Sequence, residues 1–181
     1  MDQADSRWEA TQINAARADS TVQSDYARFE ALYPMLRKFA AVVADLDMDP
    51  DDLVQDALAT TLARHELHEL DQPAAYLKRA IVNSASNKRR RSGRWRGLLP
   101  KLTADDSTLD HYPSDLSILD ELDPLDRAVV YLADVDQLPH DLIAAELALT
   151  PAAVRKRASR ARAQLRQSLG INITSLKGGN T

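Results

Sequence analysis

The residues of this chain best suited to chemistry are bases without acids on a helix-forming frame. TPAAVRKRASRARAQLRQSL (Thr150 to Leu169) carries Arg155, Lys156, Arg157, Arg160, Arg162 and Arg166 and no carboxylate. An Arg fork pairs bidentately with guanine in the major groove, whereas Lys and Arg on phosphates add affinity without sequence information. Thr150 is a candidate helix cap and Pro151 suits the first helical position. Val154, Ala158, Ala161, Leu165 and Leu169 recur at three-to-four-residue spacing, which predicts a buried stripe. Upstream, Leu142, Ile143 and Leu147 predict a short amphipathic helix, and Ala148 to Thr150 has the length of a tight turn. The pair fits a helix-turn-helix, whose second helix enters the major groove. A basic run alone is more often a solvated face; the short helix ahead of it favours DNA.

Other chemistry is sparse. No nucleophile–base pair, Gly-rich phosphate loop or paired-carboxylate cleft can be made out, so no enzymatic activity is assigned. Absence of cysteine excludes disulfides and thiolate metal sites. His65 and His68 stand three apart without a further ligand set and are expected to be ordinary loop or helix-end residues, as are Glu66 and Glu69. No metal and no cofactor is expected. Trp95, amid Arg91, Arg94 and Arg96, has two readings, stacking on an unpaired base or packing under a linker, of which packing is favoured.

The elements that must position these residues are helical. The 181 residues suffice for one ordinary domain or two small ones, and a 44% apolar fraction provides for cores. Only 5 Gly, many Ala, Leu, Arg, Asp and Glu, and no convincing alternating strand predict an all-α fold. Net charge is −4, but it is segregated. Asp45, Asp47, Asp49, Asp51, Asp52 and Asp56 form an acidic block, and Lys88, Arg89, Arg90, Arg91, Arg94, Arg96 and Lys101 a basic one, which implies a partner for each sign. No apolar run approaches the roughly 20 residues that span a bilayer, and the start lacks a signal-peptide pattern, so a cytoplasmic protein is expected.

Residues 1–24 are polar, with Trp8 and Ile13 as isolated apolar points, and read as a mobile arm, helical in part. From Tyr26, the residues Phe29, Leu32, Tyr33, Leu36, Ala40 and Val43 share one helical face. Asp49 and Pro50 then open a helix whose inner face is Leu53, Val54, Ala57, Leu58, Thr61 and Leu62. After a loop around Glu66 to Gln72, Pro73 opens a third helix with Tyr76, Leu77, Ala80, Ile81 and Ser84 inward. The three make a bundle of roughly 70 residues, near the lower limit for an independent core. Residues 98–115 are the linker candidate. Beyond it, Leu116, Leu119 and Leu122 begin a second unit, and Asp123-Pro124 starts a helix carrying Leu125, Val129 and Leu132. The expected architecture is two small helical domains, 25–97 and 116–170, on a flexible tether, with a tail at 171–181.

These segments resemble the extracytoplasmic-function (group 4) sigma factors of the sigma-70 family over roughly Tyr26 to Leu169. DDLVQDAL (Asp51 to Leu58) is similar to the family's acidic segment that docks on the β′ clamp helices of RNA polymerase. AYLKRAIVNSASNKRRR (Ala75 to Arg91) resembles the helix that opens and reads the promoter −10 element, with Arg79 and Asn83 at usual Arg and Asn positions. Leu122 to Leu165 resembles the helix-turn-helix domain that reads the −35 element. In this order the three are far more specific than any one alone.

The resemblance implies a region-2-like domain at 25–97, a region-4-like domain at 116–170, and bacterial core polymerase (β′ clamp helices and β flap) and promoter DNA as partners. It implies a cytoplasmic protein, nucleoid-associated when in holoenzyme, with an anti-sigma protein as the natural regulator. Asp52, Gln55 and Asp56 are the expected polymerase contacts, because Leu53, Val54, Ala57 and Leu58 are taken by the core; complementary potentials would speed that encounter. The alternative for Asp51 and Asp52 is that they only favour the helix N-terminus. For the −10 strand, Lys88 to Arg91 would hold phosphates, Asn83 and Asn87 would offer amides to base edges, and Arg79 would join them. A flipped base would need a pocket around His65 to Gln72. Thr150, Ala153, Arg155, Lys156, Arg157 and Arg160 are the expected −35 contacts. The chain departs from the family at Tyr76 (often Trp), Asn87 (often Asp), Leu138-Pro139-His140 (commonly Gly-Leu-Ser) and Ala148 (frequently Gly), where Ala disfavours positive φ. The expected function is a sigma factor that directs promoter-specific initiation; the alternatives are a free-standing helix-turn-helix regulator and a protein-binding adaptor.

Overall fold

A computed structural model describes residues 3–98, 119 and 121–169, with side-chain surroundings from residue 22 to 93 and again at 119 and 121–169. Among these residues the regular structure is helical: α1 (Gln3–Val43), α2 (Pro50–Leu62), α3 (Pro73–Leu98), α4 (Pro124–Val130), α5 (His140–Leu147) and α6 (Pro151–Ser168). A 3₁₀ turn, Leu67–Glu69, lies between α2 and α3, and a single π turn, Tyr131–Val135, follows α4.

The helix starts follow from local chemistry. Asp49 caps α2 by accepting from the Asp51 amide at 2.7 Å, and Thr150 caps α6 by accepting from the Ala153 amide at 3.2 Å. In both cases Pro fills the next position, where no N–H is needed. Helix α1 starts earlier than the apolar periodicity predicts. It takes in residues 3–24, read above as an arm, as one continuous helix through Pro34. Ala-rich sequence favours helix without needing an apolar stripe.

The first domain's core is Leu36, Phe39, Ala40 and Val43 of α1, Leu53, Val54, Ala57 and Thr61 of α2, and Leu77 and Ile81 of α3. Leu58 is only half-buried and Leu62 is exposed, so the inner face of α2 is narrower than expected. On α3 the buried stripe is rotated: Ala75, Lys78, Val82 and Ala85 are buried beside Leu77 and Ile81, while Tyr76, Ala80 and Ser84 are half-buried. Helix α3 has two sets of neighbours, α1 and α2 on one side and α4 and α5 on the other. A single-stripe reading misses the second.

That second side is where the domains meet. The linker candidate lies outside the described residues, apart from Leu98 at the end of α3, and the two units are packed together with a continuous core. Phe39 of α1 meets Tyr131 edge-on, ring centroids 6.1 Å apart. Helix α4 lies at the centre of this contact and is buried nearly all round: Pro124, Asp126, Arg127, Ala128 and Val129 are all inaccessible.

Arg127 is 1% exposed. Its Nε donates to Leu122 O at 3.1 Å, Nη1 to Val43 O at 3.4 Å and also to Ala44 O, and Nη2 pairs with Asp45. Arg89 of α3 donates to Leu122 O at 2.6 Å and to Asp45 at 3.2 Å. Lys78 pairs with Glu146 of α5 at 2.7 Å.

In the second domain Ile143, Ala144 and Leu147 are the inner face of α5, and Leu142, expected inside, is exposed. Ala148 adopts φ 53°, ψ 46°, so the turn keeps its left-handed residue without Gly, at a cost of about 1 kcal/mol. Val154, Ala158 and Ala161 form the buried stripe of α6; Leu165 is half-buried and Leu169 exposed.

Removing the Arg127 guanidinium strands the carbonyls of Val43 and Ala44 in the interdomain core and leaves Asp45 and Leu122 O to Arg89 alone. Arg127→Met is expected to lower folding stability by about 3 kcal/mol, read from urea unfolding of the full chain.

Candidate nucleic-acid and polymerase interface

Helix α2 presents Asp52, Gln55 and Asp56 to solvent. Asp56 also reaches α3, pairing with Lys88 Nζ at 2.8 Å and accepting from Ser84 Oγ at 3.3 Å. Asp51 turns the other way, onto α1: the Tyr33 hydroxyl donates to it at 2.6 Å and Arg37 Nε at 2.9 Å. The Tyr33 hydroxyl first, and Arg37 with it, hold the Asp51 carboxyl below its ordinary value, against a smaller opposing effect of burial. The same bond to Asp51 raises the Tyr33 hydroxyl. Asp51 thus ties α2 to α1, while Asp52 remains on the open face.

Between α2 and α3 runs an open groove of about 500 Å³. Five of the expected −10 residues, Arg79, Asn83, Asn87, Lys88 and Arg91, line it together. Arg90 stands outside it, exposed, and donates to Asn87 Oδ1 at 2.5 Å. The groove adds Thr60 and Arg64, which were not expected there, and Tyr76, expected on the inner face of α3 and as a departure from the family that bears on the −10 preference. Tyr76 anchors this end: Arg79 stacks over its ring at 5.5 Å and His65 meets it edge-on at 5.4 Å. Arg79 also donates to Ala145 O of α5 at 3.4 Å, so the second domain lies against the groove's end.

The loop expected to shape a base pocket is held by Asp25 of α1, whose Oδ2 accepts from the Leu67 amide at 2.9 Å. Glu66 and Glu69 close a reciprocal cap over the 3₁₀ turn. His68 Nδ1 lies 3.3 Å from Asp25 and 3.4 Å from Glu66, whereas His65 faces Tyr76, so the two histidines do not converge.

On α6, Arg155 and Lys156 are exposed, with Ser159 exposed on the next turn; Thr150 is exposed and Ala153 half-buried. Arg157 and Arg160 are not free: Arg157 Nη1 donates to Asp126 Oδ1 at 2.6 Å and Arg160 Nη2 to Asp126 Oδ2 at 3.0 Å. Arg162 forms a two-bond pair with Asp134, at 2.5 and 3.0 Å, which raises its guanidinium above the ordinary value. The carboxylates Asp126 and Asp134 were missed in the sequence because they lie about thirty residues away on α4 and the turn after it. The one available signal was an acid and a base, Asp126-Arg127, set amid apolar residues in a seven-residue helix.

Residues 116–165 match the family described as Sigma-70, region 4. The RNA polymerase sigma-E factor of Streptomyces coelicolor is 33% identical over 147 residues, covering 75% of this chain and 79% of that protein. This chain belongs to the sigma-70 family. It falls in the extracytoplasmic-function group of sigma factors. The sigma-E factor of Streptomyces avermitilis is 32% identical to this sigma factor over the same length. Among solved structures, the sigma factor RpoE of Bartonella quintana, crystallised with the anti-sigma factor NepR, superposes with a TM-score of 0.58 at 20% identity. It covers 81% of this sigma factor and 97% of that chain, which is a likeness of fold. No helix among the described residues is long and apolar enough to cross a membrane.

A folded-state carboxyl value below the unfolded one contributes stability that is present above the unfolded value and lost as pH falls through the folded one. Asp51→Asn is therefore expected to be less stable than the parent sigma factor at neutral pH. The gap should close as the pH falls below the ordinary 3.8 and through the lowered folded value, read as unfolding midpoints across an acid titration.

Proposed function

We propose that this sigma factor recruits core bacterial RNA polymerase to promoters through three surfaces in chain order. The α2 face of Asp52, Gln55 and Asp56 meets the basic β′ clamp helices. The groove of Arg79, Asn83, Asn87, Lys88 and Arg91, with Arg90 at its rim, holds the opened −10 strand. Thr150, Ala153, Arg155, Lys156, Arg157 and Arg160 of the helix-turn-helix meet the −35 duplex. The observation that carries this reading is the groove, where amides that bond base edges and cations that hold phosphates line one wall beside an aromatic ring. The exposed apolar Val135 and Leu142 on the second domain suit a further contact with the β flap. The chain supplies recognition and strand capture in the cytoplasm, and polymerase supplies the chemistry. An anti-sigma protein would act by masking the acidic and basic faces.

The closed arrangement must open for this task. Elements about 25 base pairs apart lie ~85 Å apart at 3.4 Å per pair, and α5 sits directly on α3. The domains would separate once the Lys78–Glu146 and Arg127 contacts release. Polymerase and DNA together would supply the free energy for that release.

Asp56→Arg tests the clamp surface, since Asp56 is exposed and outside the core. The variant should fold and retain its thermal midpoint while its affinity for core polymerase falls at least about tenfold, measured by competition against the parent protein. Equal affinity would remove α2 from the interface.

A further inference from the structure

Asp126 is the acid that the functional reading leaves unused. It lies on α4 with its side chain 7% exposed, and each of its oxygens accepts from a different arginine of α6. Arg157, 30% exposed, bonds to Oδ1, and Arg160, 57% exposed, to Oδ2. The two arginines are one turn apart and share a helix face. A guanidinium has five N–H donors, and the bond to Asp126 occupies one on each, so both retain donors for a nucleic acid.

Two consequences follow. A free Arg side chain carries much rotamer entropy, and anchoring it in the unbound protein removes part of the ordering cost when a base edge is met. One carboxylate between two guanidinium groups also leaves a net single positive charge, which weakens the sequence-independent attraction to phosphates. The first raises affinity for the matched base alone and the second lowers affinity for any duplex, so both raise discrimination. The third ion pair of α6, Arg162 with Asp134, is 41% and 40% exposed and lies near water on both sides, so it lacks the buried anchor.

We propose that Asp126 is a positioning residue for upstream-element reading: it holds Arg157 and Arg160 as one prealigned pair and cancels part of their charge, so that base sequence outweighs phosphate attraction. The proposal rests on the reading that α6 meets the −35 duplex.

The test uses the full-length chain bound to core polymerase and two duplexes: a promoter fragment at which the parent initiates, and the same fragment with its upstream element scrambled. Asp126→Asn keeps the side chain's size. It should lower the intact-to-scrambled affinity ratio about tenfold, with binding to the scrambled duplex unchanged or tighter and steeper in salt. In an Arg157→Ala, Arg160→Ala background, Asp126→Asn should leave the ratio where it already stands, because residues acting as a unit are not additive. Asp134→Asn, a control that breaks the pair of α6 with the turn after α4, should leave it at the parent value. An unchanged ratio in Asp126→Asn overturns the proposal. So does equal weakening on both duplexes together with a lowered thermal midpoint, which is the mark of a scaffold role alone. If Arg160→Ala changes binding to neither duplex, the assignment of α6 to the upstream element is what fails, and the proposal falls with it.

Discussion

A charged guanidinium with almost no access to water governs how this molecule is assembled. Burying an unpaired Arg would cost several kcal/mol, so Arg127 must find acceptors from every side. It finds them on two domains: Leu122 O on its own, and Val43 O, Ala44 O and Asp45 at the end of α1. A hydrophobic contact such as Phe39 against Tyr131 tolerates rotation and sliding. A guanidinium fork with directed bonds does not, and it fixes which face of α4 meets α1. Arg89 completes the site from α3 by sharing both Asp45 and Leu122 O, so three helices converge on one polar node.

The neighbouring Asp126 faces the other way, into α6. Two adjacent residues of one short helix therefore hold the recognition helix on one side and the first domain on the other. In the proposed opening the Arg127 contacts to α1 would break, while the Asp126 contacts lie wholly within the second domain and would persist. The helix-turn-helix would then keep its internal order while its position relative to the groove changes. The same logic explains why the interdomain contact carries ion pairs beside apolar area: Lys78 with Glu146 and Arg127 with Asp45 become solvated on opening, so the open state pays little for exposing them.

Much of the fold was legible in the sequence because its helix starts are written in local chemistry. Asp49-Pro50, Asp123-Pro124 and Thr150-Pro151 each mark a first turn, and α2, α4 and α6 begin there. The helix-turn-helix was legible even with Ala148 in place of Gly, since the Thr150 cap and the Val154–Ala158–Ala161 stripe fix both sides of the turn. What periodicity could not give was any surface buried against a distant segment. The rotated stripe on α3, with Lys78 inside, arises only because α5 covers it, and the inaccessibility of Asp126 and Arg127 only because α4 lies between two domains. The early start of α1 was hidden for a different reason, that Ala-rich sequence makes helix without an apolar pattern. Of the residues that the resemblance assigned to the −10 strand, five share a groove; Tyr76 and Arg64 line it too, through packing that no spacing reveals.

The central claim, that one chain carries polymerase docking, −10 capture and −35 reading, is met most directly by run-off transcription. Purified core bacterial polymerase would be incubated with a genomic fragment pool, with and without the full-length protein, and transcript 5′ ends sequenced. The account predicts new start sites that share two upstream elements at a fixed separation. No new starts, together with salt-sensitive binding to duplex DNA in the absence of polymerase, would contradict it and point to a regulator that acts alone.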